Sequence, residues 1–141
     1  GIMNTYEGNP YKKLIDMAQK AQKYGVIKGI LLHQGETNNG QTDWPVKVKK
    51  IYNRILSDLG LEANSIPLLA GEMLRKEEKG KCYPMNDIIA TLPRVIPNSY
   101  VISSEGCKGN NFDGLHFSTE GARELGKRYG EQMYAILKSK K

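Results

Sequence analysis

Two short polar stretches of this 141-residue chain carry residue types that could do chemistry. The first is His33-Gln34-Gly35-Glu36, in which an imidazole, an amide and a carboxylate directly follow an apolar run. The second is Asp113-Gly114-Leu115-His116, in which a carboxylate and an imidazole are three residues apart, just before a predicted helix. An aspartate at this spacing can orient the imidazole and fix its tautomer, so His116 is a candidate general base and Asp113 its orienting partner.

A structural interpretation competes with this catalytic one. Asp113 could form an Asx-turn while His116 only packs near the helix start, and the spacing alone favours that interpretation. Gln34 could aim its amide at developing negative charge, as an oxyanion donor, or it could hydrogen-bond the loop backbone. His33, Gly35 and Glu36 are predicted to line a substrate pocket, with Glu36 ordering the loop.

The elements that must position these residues alternate between helices and short apolar strands. Strands are predicted over residues 26–32, 66–71 and 100–103, because short apolar runs bounded by Gly or Pro are typical of buried parallel strands. Residues 1–10 are predicted to be a loop and residues 72–83 an exposed loop. Helices are predicted over residues 10–24, from an Asp43 cap to residue 59, over residues 86–92 with Asn86 as the cap, and from a Ser118 cap through Ile136.

This order predicts a single α/β domain of the three-layer α/β/α type with a parallel sheet. No strand precedes the first predicted helix, although a doubly wound sheet normally opens with one. We therefore expect the first strand of the sheet to be missing from this chain, which leaves an edge open beside a strand that should be central.

Composition excludes several classes of protein. The net charge is +6, but the basic residues are spread along the chain without interleaved aromatic residues or a nucleic-acid motif, so no nucleic-acid partner is expected. No apolar run approaches the ~20 residues that cross a bilayer, so no membrane partner is expected either. The two cysteines, Cys82 and Cys107, could form a disulfide or remain separate thiols. A zinc site built from them with His33 and His116 has no ligand spacing to support it.

Together, the two polar stretches and the segment Phe117-Ser118-Thr119-Glu120-Gly121-Ala122 resemble the SGNH-type serine esterases. The most similar group is the sialate O-acetylesterase-like group, which includes carbohydrate esterase family six and its acetylxylan esterases. The resemblance implies a flavodoxin-like fold and a Ser-His-Asp mechanism without metal or cofactor. It implies that Gln34 is an oxyanion donor, Asp113 the orienting residue and His116 the base. It also implies an acetylated carbohydrate substrate and a secreted or periplasmic location.

One part of the family's pattern is absent from this sequence. The nucleophilic serine of the family lies in a Gly-Gln-Ser-Asn-like motif after the first strand, and no such motif occurs here. Thr42 follows a similar Gly-Gln string but precedes a helix, and Ser103 and Ser104 correspond to the approach to Asp113. We therefore interpret residues 1–141 as the C-terminal part of one esterase domain, with the nucleophile supplied by a complementary segment. The alternative is a non-catalytic carbohydrate-binding remnant of the same fold.

Overall fold

The computed structural model describes residues 1–140 and has a three-stranded parallel sheet at its centre. The strands are β1 (Ile30–Leu32), β2 (Leu68–Gly71) and β3 (Ser99–Ile102), in the order β1-β2-β3. Leu31 lies beside Leu69, which lies beside Tyr100. Because all strands run the same way, the residues that follow them emerge at one edge of the sheet.

Six α-helices surround the sheet in the described part of the chain. They are α1 (Ile2–Glu7), α2 (Asn9–Gln22), α3 (Trp44–Asp58), α4 (Met85–Ile89), α5 (Leu92–Val95) and α6 (Thr119–Ser139). Two short 3-10 helices, Glu36–Asn38 and Lys76–Glu78, follow β1 and β2.

The central strand β2 has both of its faces covered, which creates the three layers. Leu68 and Ala70 pack into a cluster with Trp44 and Tyr52 of α3, whereas Leu69 packs against α6 on the opposite face. Leu69 is completely buried, and burying a leucine side chain contributes about 1.5–3 kcal/mol. The predicted α/β/α class with a parallel sheet is thus confirmed.

The prediction that residues 1–10 form a loop was wrong, because residues 2–7 form helix α1. Ile2 is 5% exposed and belongs to the main core, so tertiary packing outweighs the turn-forming composition of this stretch. Gly8 is extended, and Pro10 lies in the first turn of α2, so two helices follow each other where one loop was expected.

Asn86 does not cap a helix, which corrects a second prediction. It lies inside α4, and its amide pairs with both backbone groups of Met73: Met73 N donates to Oδ1 at 2.7 Å, and Nδ2 donates to the Met73 carbonyl at 3.1 Å. Met73 and Leu74 are each 2% exposed, so part of the predicted exposed loop is core. The predicted helix 86–92 is two helices, with Pro93 in the first turn of α5.

The predicted caps of α3 and α6 differ in outcome. Ser118 caps α6 as predicted, because its Oγ accepts a hydrogen bond from Gly121 N at 3.0 Å. Asp43 occupies the cap position of α3 without a side-chain capping bond, and its carboxylate instead pairs with Lys47 Nζ at 2.9 Å. The strand predicted over residues 26–32 is shorter than expected, since only Ile30–Leu32 pairs with β2.

Candidate active site

The two polar stretches meet in one cavity at the carboxyl edge of the sheet, where ligands bind in open α/β folds. The cavity has a volume of about 680 Å³. Helix α1 supplies part of its wall. From the two stretches and the residue that follows each, it is lined by His33, Gln34, Gly35, Glu36, Thr37, Leu115, His116 and Phe117.

Asp113 and His116 form a hydrogen-bonded pair in which both oxygens of the carboxylate are used. Oδ2 lies 2.5 Å from His116 Nδ1, while Oδ1 accepts from the backbone N–H groups of Leu115 at 2.8 Å and of His116 at 3.0 Å. The Asx-turn and the Asp113–His116 side-chain pairing, which the sequence presents as alternatives, coexist on different oxygens of Asp113. Gly114 has φ +70°, a conformation that favours glycine and lets the turn close.

The pairing changes the acidity of both groups. The hydrogen bond from His116 and those from the backbone of His116 and Leu115 lower the pKa of Asp113 well below its ordinary value. The hydrogen bond and the charge of Asp113 raise the pKa of His116 above 6.5, and Glu36 adds a smaller effect in the same direction. With Nδ1 held by Asp113, the neutral ring keeps Nε2 as its basic nitrogen, which is the arrangement of a general base.

Gln34 sits at the centre of a hydrogen-bond network. Its Nε2 donates to Thr37 Oγ1 at 3.1 Å and to Asn38 Oδ1 at 2.8 Å, and its Oε1 accepts from Trp44 Nε1 at 2.7 Å. These contacts fix which way the amide faces. They also occupy both amide hydrogens, and the hydrogen bond to Thr37 is the longer of the two.

Asn38 extends this network and was not predicted from the sequence. It is 3% exposed, its Oδ1 also accepts from Ile2 N at 2.9 Å, and its Nδ2 donates to Gln41 Oε1 at 2.7 Å. Asn38 thus joins α1 to the loop that carries Gln34. The sequence signals a polar loop here, but nothing in it singles out Asn38.

His33, Gly35 and Glu36 all line the cavity, in different ways. The ring of His33 lies 5.8 Å from that of Phe117, and its Nε2 is 3.1 Å from the Glu72 carbonyl oxygen. A side chain at Gly35 would come within 3.1 Å of Met85, so the chain passes close to the core there.

A comparison with known families bears directly on this geometry. A family model described as "carbohydrate esterase, sialic acid-specific acetylesterase" matches residues 2–135.

The chain belongs to this carbohydrate esterase family.

Membership confirms the resemblance drawn from the two motifs and indicates carbohydrate esterase activity in general. Within residues 1–140, no helix is long and apolar enough to span a bilayer.

Glu72 is a further residue of this esterase fold that the sequence did not reveal. Its carboxylate accepts two hydrogen bonds from Arg75, at 2.9 and 3.0 Å, and one from Ser104 N at 2.9 Å, while its backbone carbonyl contacts His33. It therefore ties the segments after β1, β2 and β3 together. The three-residue spacing of Glu72 and Arg75 is the one local sequence signal for this ion pair.

The hydroxyl groups that could replace the absent serine, those of Thr42, Ser103 and Ser104, lie outside the cavity. Ser104 is completely buried, and its Oγ donates to the Met73 carbonyl at 2.8 Å. Ser103 Oγ accepts from Arg75 and from Glu105 N. Within residues 1–140, the cavity lining includes two residues with hydroxyl groups, Thr5 and Thr37. Neither hydroxyl is hydrogen-bonded to His116.

The two cysteines are free thiols on opposite faces of the sheet. Cys82 packs into the cluster of α3, whereas Cys107 packs into the cluster of α6. The structure thus favours separate thiols over a disulfide. Burial raises the pKa of both.

Proposed function

We propose that this chain provides the His-Asp part of a carbohydrate O-acetylesterase and that a complementary polypeptide segment supplies the nucleophilic serine. The observation that carries the proposal is that His116 and Gln34, far apart in sequence, line the same cavity. The Asp113–His116 pair supports a base role, since a serine is activated by an adjacent imidazole held by a carboxylate.

The mechanism is acyl transfer through an acetyl-enzyme. Serine Oγ attacks the acetyl carbonyl carbon while His116 Nε2 takes its proton, and the carbonyl oxygen becomes an oxyanion. Gln34 donates an amide hydrogen to that oxyanion by releasing Thr37, its longer hydrogen-bond partner. The C–O bond to the sugar then breaks, and His116 returns the proton to the sugar oxygen. Water then attacks the acetyl carbon while His116 Nε2 takes its proton, the bond from that carbon to serine Oγ breaks, and His116 returns the proton to Oγ as acetate leaves.

Asp113 holds the Nδ1–H tautomer and stabilises the imidazolium formed in each half-reaction. His33, Gly35 and Glu36 contact the sugar that presents the acetyl group. The substrate is an acetylated polysaccharide of the acetylxylan type, and deacetylation of such a polymer takes place outside the cytoplasm.

The edge of β1 supports a complementary segment. In the described part of the chain β1 pairs only with β2, and Leu31 is 60% exposed although its neighbour Leu69 is completely buried. An open strand edge with an exposed apolar residue is a template for pairing with another strand. We propose that the segment adds a strand beside β1 and covers Leu31, so that residues 1–141 form the C-terminal part of one domain.

The test is to express the chain with a segment that carries a Gly-Gln-Ser-Asn-like motif, and to measure acetate release from acetylated xylan. His116→Ala should lower kcat by about 10²–10⁴-fold, the usual contribution of a general base. His33→Ala is the matched control, because it removes the other cavity-lining histidine and should alter KM more than kcat. If the assembly with His116→Ala keeps full activity, the proposal is wrong.

A non-catalytic carbohydrate-binding protein of the same fold is the second candidate. It is favoured by one observation, that both amide hydrogens of Gln34 already have partners. It predicts that acetylated xylan oligosaccharides bind, detected by calorimetry, without release of acetate when the serine-bearing segment is present.

A further inference from the structure

A phenylalanine protrudes from the turn that carries the His-Asp pair. Phe112 is 91% exposed and directly precedes Asp113. A phenylalanine with this exposure leaves most of its ring in water, and the flat apolar face of the ring is available for a ligand to pack against.

The backbone holds Phe112 in place. Asn110 Oδ1 accepts from Phe112 N at 2.9 Å and from Asp113 N at 3.3 Å, and Asn110 N donates to the His116 carbonyl at 3.0 Å. Asn111 has φ +59°, a conformation that asparagine tolerates better than most residues. The backbone of Phe112 is therefore fixed relative to His116.

A second, smaller cavity adjoins this ring. It has a volume of about 220 Å³ and is lined by Leu74, Glu78, Lys79, Lys81, Phe112 and Asp113, among others. Asp113 lines this smaller cavity and is hydrogen-bonded to His116, which lines the active-site cavity. Lys81 N also donates to the Gly114 carbonyl at 2.8 Å, which fixes one wall against the turn.

We propose that Phe112 and this smaller cavity form a subsite for a second sugar unit, the neighbour of the unit that presents its acetyl ester to His116. The proposal rests on the proposed function. A pyranose ring has an apolar C–H face and a rim of hydroxyl groups, so it fits an aromatic ring bordered by charged donors and acceptors. Lys79 and Lys81 donate to the hydroxyls. The volume lies below the ~300–1,000 Å³ of sites for drug-sized ligands, which suits one sugar unit.

The subsite predicts that the esterase prefers an oligosaccharide to a single sugar. Binding to the full chain is measured by calorimetry, with xylohexaose, xylose and N-acetylneuraminic acid as probes. Xylohexaose should bind with a lower Kd than either monosaccharide. Phe112→Ala should raise the Kd for xylohexaose about three- to tenfold, the amount that an aromatic contact typically contributes, while Phe112→Trp should keep it within about twofold of that of the unsubstituted chain.

Tyr24→Ala is the matched control. Tyr24 is also 91% exposed but lies beyond α2 and lines neither cavity, so its loss should leave the Kd unchanged. The proposal is overturned if the unsubstituted chain binds no xylohexaose, if Phe112→Ala binds as well as the unsubstituted chain, or if Tyr24→Ala weakens binding equally. These readouts need no turnover, so a failure of the acetylesterase proposal would appear separately, as activity that survives His116→Ala.

Discussion

Gln34→Met separates the structural role of this amide, which its hydrogen bonds show, from the oxyanion role proposed for it. Methionine keeps the length of the side chain but removes all three hydrogen bonds, to Thr37, Asn38 and Trp44. Trp44 is completely buried, so its indole N–H would lose its acceptor inside the protein. A buried polar group without a partner costs about 1–3 kcal/mol. At about 4 °C per kcal/mol for a domain of this size, Tm should fall by roughly 4–12 °C.

The catalytic role predicts a separate effect on the rate. Removing one oxyanion donor typically lowers kcat by about 10²–10³-fold, which corresponds to ~2.7–4 kcal/mol of transition-state stabilisation. KM should change little, because the oxyanion exists only in the transition state. Initial rates of acetate release are measured with the serine-bearing segment present. Urea unfolding is followed in parallel by fluorescence of Trp44, the only tryptophan of the chain.

Thr37→Val is the control for this experiment. It removes only the 3.1 Å acceptor of Gln34 and leaves the contacts with Asn38 and Trp44 intact. We expect kcat to be kept or raised, because the freed amide hydrogen becomes available to the oxyanion. If Gln34→Met lowers Tm as expected but keeps kcat within about threefold, a change far below that of a lost oxyanion donor, the amide is structural and the oxyanion assignment is wrong.

The remaining predictions test the Asp113–His116 pair, the sheet and the thiols. Asp113→Asn should return the pKa of His116 towards 6.5 in an NMR titration, and a pKa that stays raised would contradict the pairing. Because the pKa of His116 is raised and that of Asp113 lowered, the stability that the pair contributes should be full between about pH 4 and 6.5. This contribution should be lost as pH rises through the pKa of His116 or falls through that of Asp113. It is measured as the difference in unfolding free energy between the original chain and Asp113→Asn at each pH. Tyr129→Phe should lower the unfolding free energy by about 0.5–1.5 kcal/mol, because it removes the 2.5 Å hydrogen bond to the Leu32 carbonyl, and unchanged urea midpoints would refute this. The two cysteine thiols should react slowly with iodoacetamide in the native state and rapidly in urea, and a reductant should not change Tm.

The sequence predicted most of the fold because the signals for it are local. Apolar runs bounded by Gly or Pro predicted all three strands, and helical periodicity predicted α2, α3 and α6. Helix α1 was missed because its stability comes from packing of Ile2 against residues far along the chain. Asn86 was misassigned for the same reason, since its partner is the backbone of Met73.

In the candidate site, too, local contacts could be predicted from the sequence and long-range contacts could not. Asp113 and His116 could be paired from the sequence because three residues separate them, and a turn of that length brings them together. The partners of Gln34 could not be predicted in this way, because Trp44 lies on α3 and no spacing rule connects a strand end to that helix. The Glu72 carboxylate is hydrogen-bonded to Ser104, 32 residues further along the chain, and the Glu72 carbonyl contacts His33. Only the folded chain shows these contacts.

These long-range contacts limit what the proposed complementary segment has to contribute. Each part of the site is already held by another element: Leu32 by Tyr129, His33 by the Glu72 carbonyl, Gly114 by Lys81 N, and Gln34 by Trp44. The proposed base, His116, and the proposed oxyanion donor, Gln34, are therefore positioned by residues 1–140 themselves, and positioning before reaction is what makes such groups effective. On the proposed function, the segment would bring the hydroxyl and cover the β1 edge, and it would not need to build the Asp113–His116 pair. The NMR signature of the Asp113–His116 pair should accordingly be present in this chain alone and persist when the segment binds.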